Sequence, residues 1–141
     1  MSKVTISAKI KTMLETLKGT GKPLVAVYAE HTTKTDGYPY ATFEPSDIVS
    51  DYETTTQNMR KYVFRIMVHQ QFSTIDKATA IATTNAVSDA IIEMFEKDWT
   101  LGGTVDFTQV APSIDGDYDT ESNTVHMTEI MLSVNKSVSI L

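Results

Sequence analysis

The chain contains no cysteine. That excludes a disulfide framework, a thiol nucleophile and a cysteine-ligated zinc site. Four prolines and six glycines in 141 residues are too few for a collagen-like or low-complexity chain. No apolar run approaches the roughly 20 residues of a membrane helix, and Lys3, Lys9 and Lys11 interrupt the apolar stretch a signal peptide requires. Histidine is scarce: His31, His69 and His126 are too far apart in sequence to form a local metal pair. There is no G-x-S-x-G nucleophile turn. Gly19-Thr20-Gly21-Lys22 is not a phosphate loop, because Pro23 follows the lysine and the order runs from helix to strand.

What is present suits one domain spanning residues 1–141. Hydrophobic residues at 41% and charged residues at 21% suffice for a core without staples and argue against disorder. A soluble protein folded in a cytoplasm is expected. The net charge of −6 is unevenly spread. Residues 1–22 hold five lysines against Glu15 alone, a local +4, while the remainder carries seven basic and seventeen acidic residues, a local −10. An acidic body repels nucleic acid phosphates. The basic start is either a solvated helix face or a surface for an acidic neighbour, such as another copy.

Ile6, Ile10, Met13, Leu14 and Leu17 recur at helical spacing and predict a helix over about 4–18, ended by Gly19, Gly21 and Pro23. Leu24–Ala29 reads as a buried strand and Tyr38–Glu44 as its hairpin partner across Asp36-Gly37. Pro45–Asn58 is polar and reads as a long excursion from the sheet, or an extended hairpin. Over Arg60–Gln71, Tyr62, Phe64, Ile66 and Val68 alternate as the core face of a strand. A helix over about 74–98 follows, with Ser73 and Asp76 resembling a capping box. Its Ala78, Ala82, Ala86 and Ala90 form a small-residue ridge that predicts close approach to the sheet. Thr104–Val110 reads as a strand, Pro112–Asn123 as an acidic loop, and Thr124–Ile140 as a long final strand. The fold class expected is α+β: a mostly antiparallel sheet, two helices packed on one face, and an extended polar excursion.

Asp115, Asp117, Asp119 and Glu121 space like the opening of a calcium loop. Thr120 stands where that loop needs glycine, and His126 where it needs a bidentate glutamate. The ordinary reading is an acidic surface segment. The alternative is a divalent site in a small metal-dependent enzyme. His69 and His126 fall on strand faces and could meet across the sheet. Tyr62 and Phe64 have the spacing of a base-stacking sheet, but the acidic charge favours core packing.

Two segments carry a resemblance. One runs Gly37-Tyr38-Pro39-Tyr40-Ala41-Thr42-Phe43-Glu44-Pro45, then Ser50-Asp51-Tyr52-Glu53-Thr54, then Asn58-Met59-Arg60-Lys61-Tyr62-Val63-Phe64. The other is Thr100-Leu101-Gly102-Gly103-Thr104-Val105-Asp106 after a long helix. Together with the element order, they resemble the tail-terminator (tail-completion, minor tail) proteins of long-tailed phages and prophages. The resemblance implies a virion tail protein assembled in the host cytoplasm. Such a protein forms a six-membered ring that caps the tail tube, stops its polymerisation and offers the head a joining surface. Its partners would be further copies of itself, the tail-tube protein and a head-completion or connector protein, with DNA passing through unbound. It implies no catalysis, cofactor, metal or membrane. Subunit or tube contacts are expected at Asp47, Asp51, Glu53 and Arg60, with Tyr38 and Tyr52 as apolar anchors. A tail-tube or head-completion ring subunit is the neighbouring alternative.

Overall fold

The computed structural model describes residues 3–30, 37–52, 57–72, 76–103, 105–120 and 124–139. Helix α1 spans Lys3–Glu15, and its stripe of Ile6, Ile10, Met13 and Leu14 is buried. Gly19 and Gly21 take positive φ in the turn that follows, where a Cβ would be strained. Strands β1 (Ala26–Tyr28), β2 (Tyr40–Tyr52) and β3 (Gln57–Gln71) come next, then helix α2 (Lys77–Lys97), then β4 (Phe107–Asp119) and β5 (Thr124–Ser139).

The sheet order is β1-β2-β3-β5-β4. Its pairs are antiparallel except β1 with β2, which is parallel, with Ala26 opposite Tyr40. The hairpin expected across Asp36-Gly37 is therefore corrected. A parallel pair needs a crossover rather than a tight turn. Gly37 is there for packing: a Cβ on it would fall 2.8 Å from Val25 Cγ1. The Val25 N–H donates to the Pro39 carbonyl at 2.9 Å. His31 and the polar run to Asp36 lie outside the described residues.

One further expectation takes its extended-hairpin form, and two change. The Pro45–Asn58 stretch continues the antiparallel β2–β3 ladder as far as Tyr52 opposite Asn58, with a register break between Pro45 and Asp47. The acidic segment after Pro112 is no loop but the continuation of β4, paired with β5 through Asp119 opposite Thr124 after a break between Pro112 and Asp115. Such breaks let a strand bend and resume its pairing, so a proline need not end it. On α2, the buried line is Ala80, Thr84, Val87, Ser88, Ile91 and Phe95, whereas Ala78, Ala82 and Ala86 are exposed. The small residues on the buried line are Ala80, Thr84 and Ser88, not the predicted alanine ridge. The exposed alanines serve helix propensity. Asp76 is itself the N-cap, accepting from the Thr79 N–H at 2.7 Å, and Ser73 lies outside the described residues.

Both helices share one core on one face of the sheet. Ile6, Ile10 and Leu14 of α1 and Val87, Ile91 and Phe95 of α2 join Phe43, Phe64, Ile66, Ile130 and Leu132 in a single buried cluster. Helix α1 lies against β1, and α2 lies over β3, β5 and β4. Among the described residues, no helix is long and apolar enough to cross a membrane.

Candidate functional site

The expected contact residues divide between two places. Asp47, Asp51 and Tyr52 occupy β2 positions opposite Val63, Met59 and Asn58, and Arg60 lies on β3 between Ser50 and Lys136. Of Asp47, Asp51 and Tyr52 only the backbone is described, and Glu53 lies outside the described residues. These positions belong to a tongue of β2, β3 and β5. Gln57–Lys61 is paired on its far side with Asn135–Ser139. Among the described residues, no buried apolar side chain lies on β3 before Tyr62 or on β5 after Val134, so the tongue runs on past the core. Tyr38 is elsewhere, roughly 45 Å of extended chain from Tyr52. It precedes a cis peptide to Pro39 and leans on Tyr40, with ring centroids 5.4 Å apart.

The sheet face turned away from the helices carries a cluster that the sequence reading missed. His69 has no exposed surface. Its ring stacks on Tyr40 at 4.4 Å. Its Nδ1 is 2.7 Å from the Tyr118 hydroxyl and its Nε2 is 3.0 Å from Thr42 Oγ1. The Tyr118 and Tyr40 hydroxyls are 3.2 Å apart. Register brings the group together, since Tyr40, His69, Met127 and Gly116 form one transverse row. Burial first, then the hydrogen bond to Tyr118, pushes the Tyr40 phenol well above its usual range. Burial likewise raises Tyr118. A histidine with both nitrogens engaged and no solvent access offers neither to a substrate. The cluster is therefore a structural network.

Beside it is an open hollow of about 470 Å³ lined by Glu44, Arg65, Met67, Tyr118 and Met127. Arg65 spans its rim, with Nε 3.0 Å from Glu129 Oε1 and Nη2 3.5 Å from Glu44 Oε1. The cation is thus already matched by two carboxylates, which leaves little charge to recruit an anionic ligand.

His126 lies on the helix side of the sheet, opposite Gln70 and next to the row that holds His69. The two histidines therefore face opposite ways and do not meet. His126 Nδ1 is 2.7 Å from Asp117 Oδ1, and Lys77 Nζ at the start of α2 is 2.7 Å from Asp117 Oδ2. Lys77 first and His126 second hold the Asp117 carboxyl below its usual range. Asp115, Asp117 and Asp119 alternate along one face of a strand, which spreads them over about 13 Å. Calcium coordination needs a loop that folds its ligands inward. The metal alternative is not supported by this geometry. Among the described residues, no group of three or more histidines and carboxylates is placed to hold a metal ion, and Glu121 lies outside them.

A further feature sits at the β4 edge. Trp99 is 54% exposed and Phe107 37%, and the Thr108 hydroxyl donates to the Trp99 carbonyl at 2.9 Å. Exposed aromatics beside a free strand edge suit protein contact.

No protein-family model matches the chain, and no curated protein does. Among solved structures, the chain is similar to one from the virion of a native gene transfer agent particle. The TM-score is 0.54 at 17% identity, with 94% of this chain and 95% of that one covered. At that identity the likeness is one of fold.

Proposed function

We propose that this chain is a structural component of a phage-like virion and, within that class, a tail terminator. The observation that carries the reading is the end-to-end fold likeness to a chain of a virion particle, which covers nearly the whole of both proteins. The sequence resemblance to tail terminators points the same way independently. The His69 network supports it too, because its ring nitrogens are held by Thr42 and Tyr118 rather than presented to a substrate.

In this reading six copies close into a ring on the end of the tail tube, halt its growth and present the opposite side to a head-completion or connector protein. A ring of identical subunits needs two different, complementary patches on each copy. The tongue, with Asp47, Asp51, Tyr52 and Arg60, is the part most extended from the core and is assigned to the tube. The net acidic body favours passage of DNA without binding. No cofactor takes part. The test is to polymerise the cognate tail-tube protein with and without this chain and follow tube length by electron microscopy. Arrested tubes with one closed end are expected. Tubes that grow unchanged contradict the reading. The long strand edges of β2 and β4 favour a second reading, a tail-tube subunit, and spontaneous growth of this chain into long tubes would establish that one instead.

A further inference from the structure

The two lateral edges of this fold carry opposite charge. We propose that copies bind head to tail, with Lys11 of α1 and Lys18 of the turn after it in one copy seated against the Asp115–Asp119 row of β4 in the next. The inference deepens the ring reading above and rests on it for closure into a ring.

Helix α1 lies over the β1 edge. One of its flanks turns inward. Thr16 Oγ1 is 3.6 Å from Met94 Sδ on α2, and Lys9 Nζ is 3.1 Å from the point a Cβ on Gly102 would occupy. Lys11 is about 200° further round the helix than Lys9, and Lys18 follows in the turn beyond the end of α1. Both lysines are exposed; Lys11 lies on the flank away from α2, and Lys18 lies beside the chain that enters β1. Lys11 has no ion pair among the described residues. Lys18 has only a 3.9 Å approach to Glu15, exposed on both sides, a pair of little worth.

At the other edge, β4 is the outermost strand. Asp115 pairs with Thr128, Asp117 with His126 and Asp119 with Thr124. This puts all three on the helix side of the sheet, the same side as α1. Asp117 is taken by Lys77 and His126. Asp115 and Asp119 are exposed and make no ion pair among the described residues. They stand about 13 Å apart along the strand. Lys18 and this row agree in level. Lys18 is bridged to Leu24, two residues before Ala26. Ala26 shares a transverse row with Tyr40, His69, Met127 and Gly116, so Lys18 lies near the level of Tyr118.

A sideways repeat of the molecule therefore brings lysines to aspartates. It also brings β4 antiparallel to the next copy's β2. Register breaks at Pro45 and Pro112 interrupt both free edges, a device that resists continuous edge pairing. Side chains above the sheet must then carry the contact. The exposed large hydrophobic residues Val25, Trp99 and Phe107 stand at these same two edges and can add apolar area.

The test is solution mass by light scattering over a range of protein concentrations, in about 0.01 M and about 1 M salt, where the screening length is about 30 Å and about 3 Å. The wild type is expected to self-associate at low salt and dissociate at high salt. Lys11→Glu/Lys18→Glu and Asp115→Lys/Asp119→Lys, each with circular dichroism unchanged, are expected to weaken association at least tenfold. The fourfold variant carrying both swaps is expected to associate again. A wild type that stays monomeric at low salt overturns the proposal. So do double variants that assemble like the wild type, and so does a folded fourfold variant that stays monomeric. Tube capping is scored separately: loss of capping with self-association intact counts against the terminator reading and leaves this contact standing.

Discussion

Under the helices, β3 presents Tyr62, Phe64, Ile66 and Val68 to neighbours that match them only in volume and apolarity. On its other side the same strand presents His69, held by one stacked ring and two hydrogen bonds. The helix-covered face tolerates any packing of similar volume. The open face depends on particular atoms, since removing one member leaves buried partners unsatisfied. Burial alone therefore does not identify a functional histidine: His69 is buried because it braces the open face.

Phe64→Ala tests the covered face and should cost most, about 3–5 kcal/mol in chemical denaturation, with the open-face hydrogen bonds intact. On the open face, His69→Ala should cost about 2–4 kcal/mol, from lost packing and from the loss of the ring's hydrogen bonds to Thr42 and Tyr118. If His69→Ala cost no more than an exposed substitution, the network would not be structural. Tyr118→Phe, which keeps the ring and removes only the hydroxyl, should cost about 1–2 kcal/mol.

The faces should also separate by pH. The raised Tyr40 and Tyr118 phenols contribute stability that is full below the ordinary tyrosine value near 10 and falls as pH rises above it. Alkaline melts of Tyr40→Phe should show a shallower loss than the wild type. Asp117, on the helix side, is lowered. Its stability is present above the ordinary carboxylate range and is lost as pH falls through and below it. Asp117→Asn should flatten that acid limb, the smallest of these effects.

The covered face was legible in the sequence because period-2 and period-3.6 apolar patterns report it directly. Tyr62 to Val68 and Ile6 to Leu14 are buried as their spacing predicts. The α2 stripe was misplaced because Thr84 and Ser88 are buried with Ala80 while Ala78, Ala82 and Ala86 are exposed, and hydropathy cannot distinguish a small polar residue that fits from a small apolar one that is spare. The open face was hidden because Tyr40, His69 and Tyr118 are far apart in the chain and meet only through strand register. The parallel β1–β2 pairing was equally hidden, since Asp-Gly signals a turn without saying which way the chain leaves it. One local signal did exist: Tyr118 alternates with the aspartates of 115–119, a period of two that marks a strand rather than a loop.

The most direct measurement is electron cryomicroscopy of cognate tail tubes mixed with this chain. One ring of six copies at one tube end is expected, with the β2–β3 tongue against the tube. Bare ends, or copies spread along the tube wall, would contradict it.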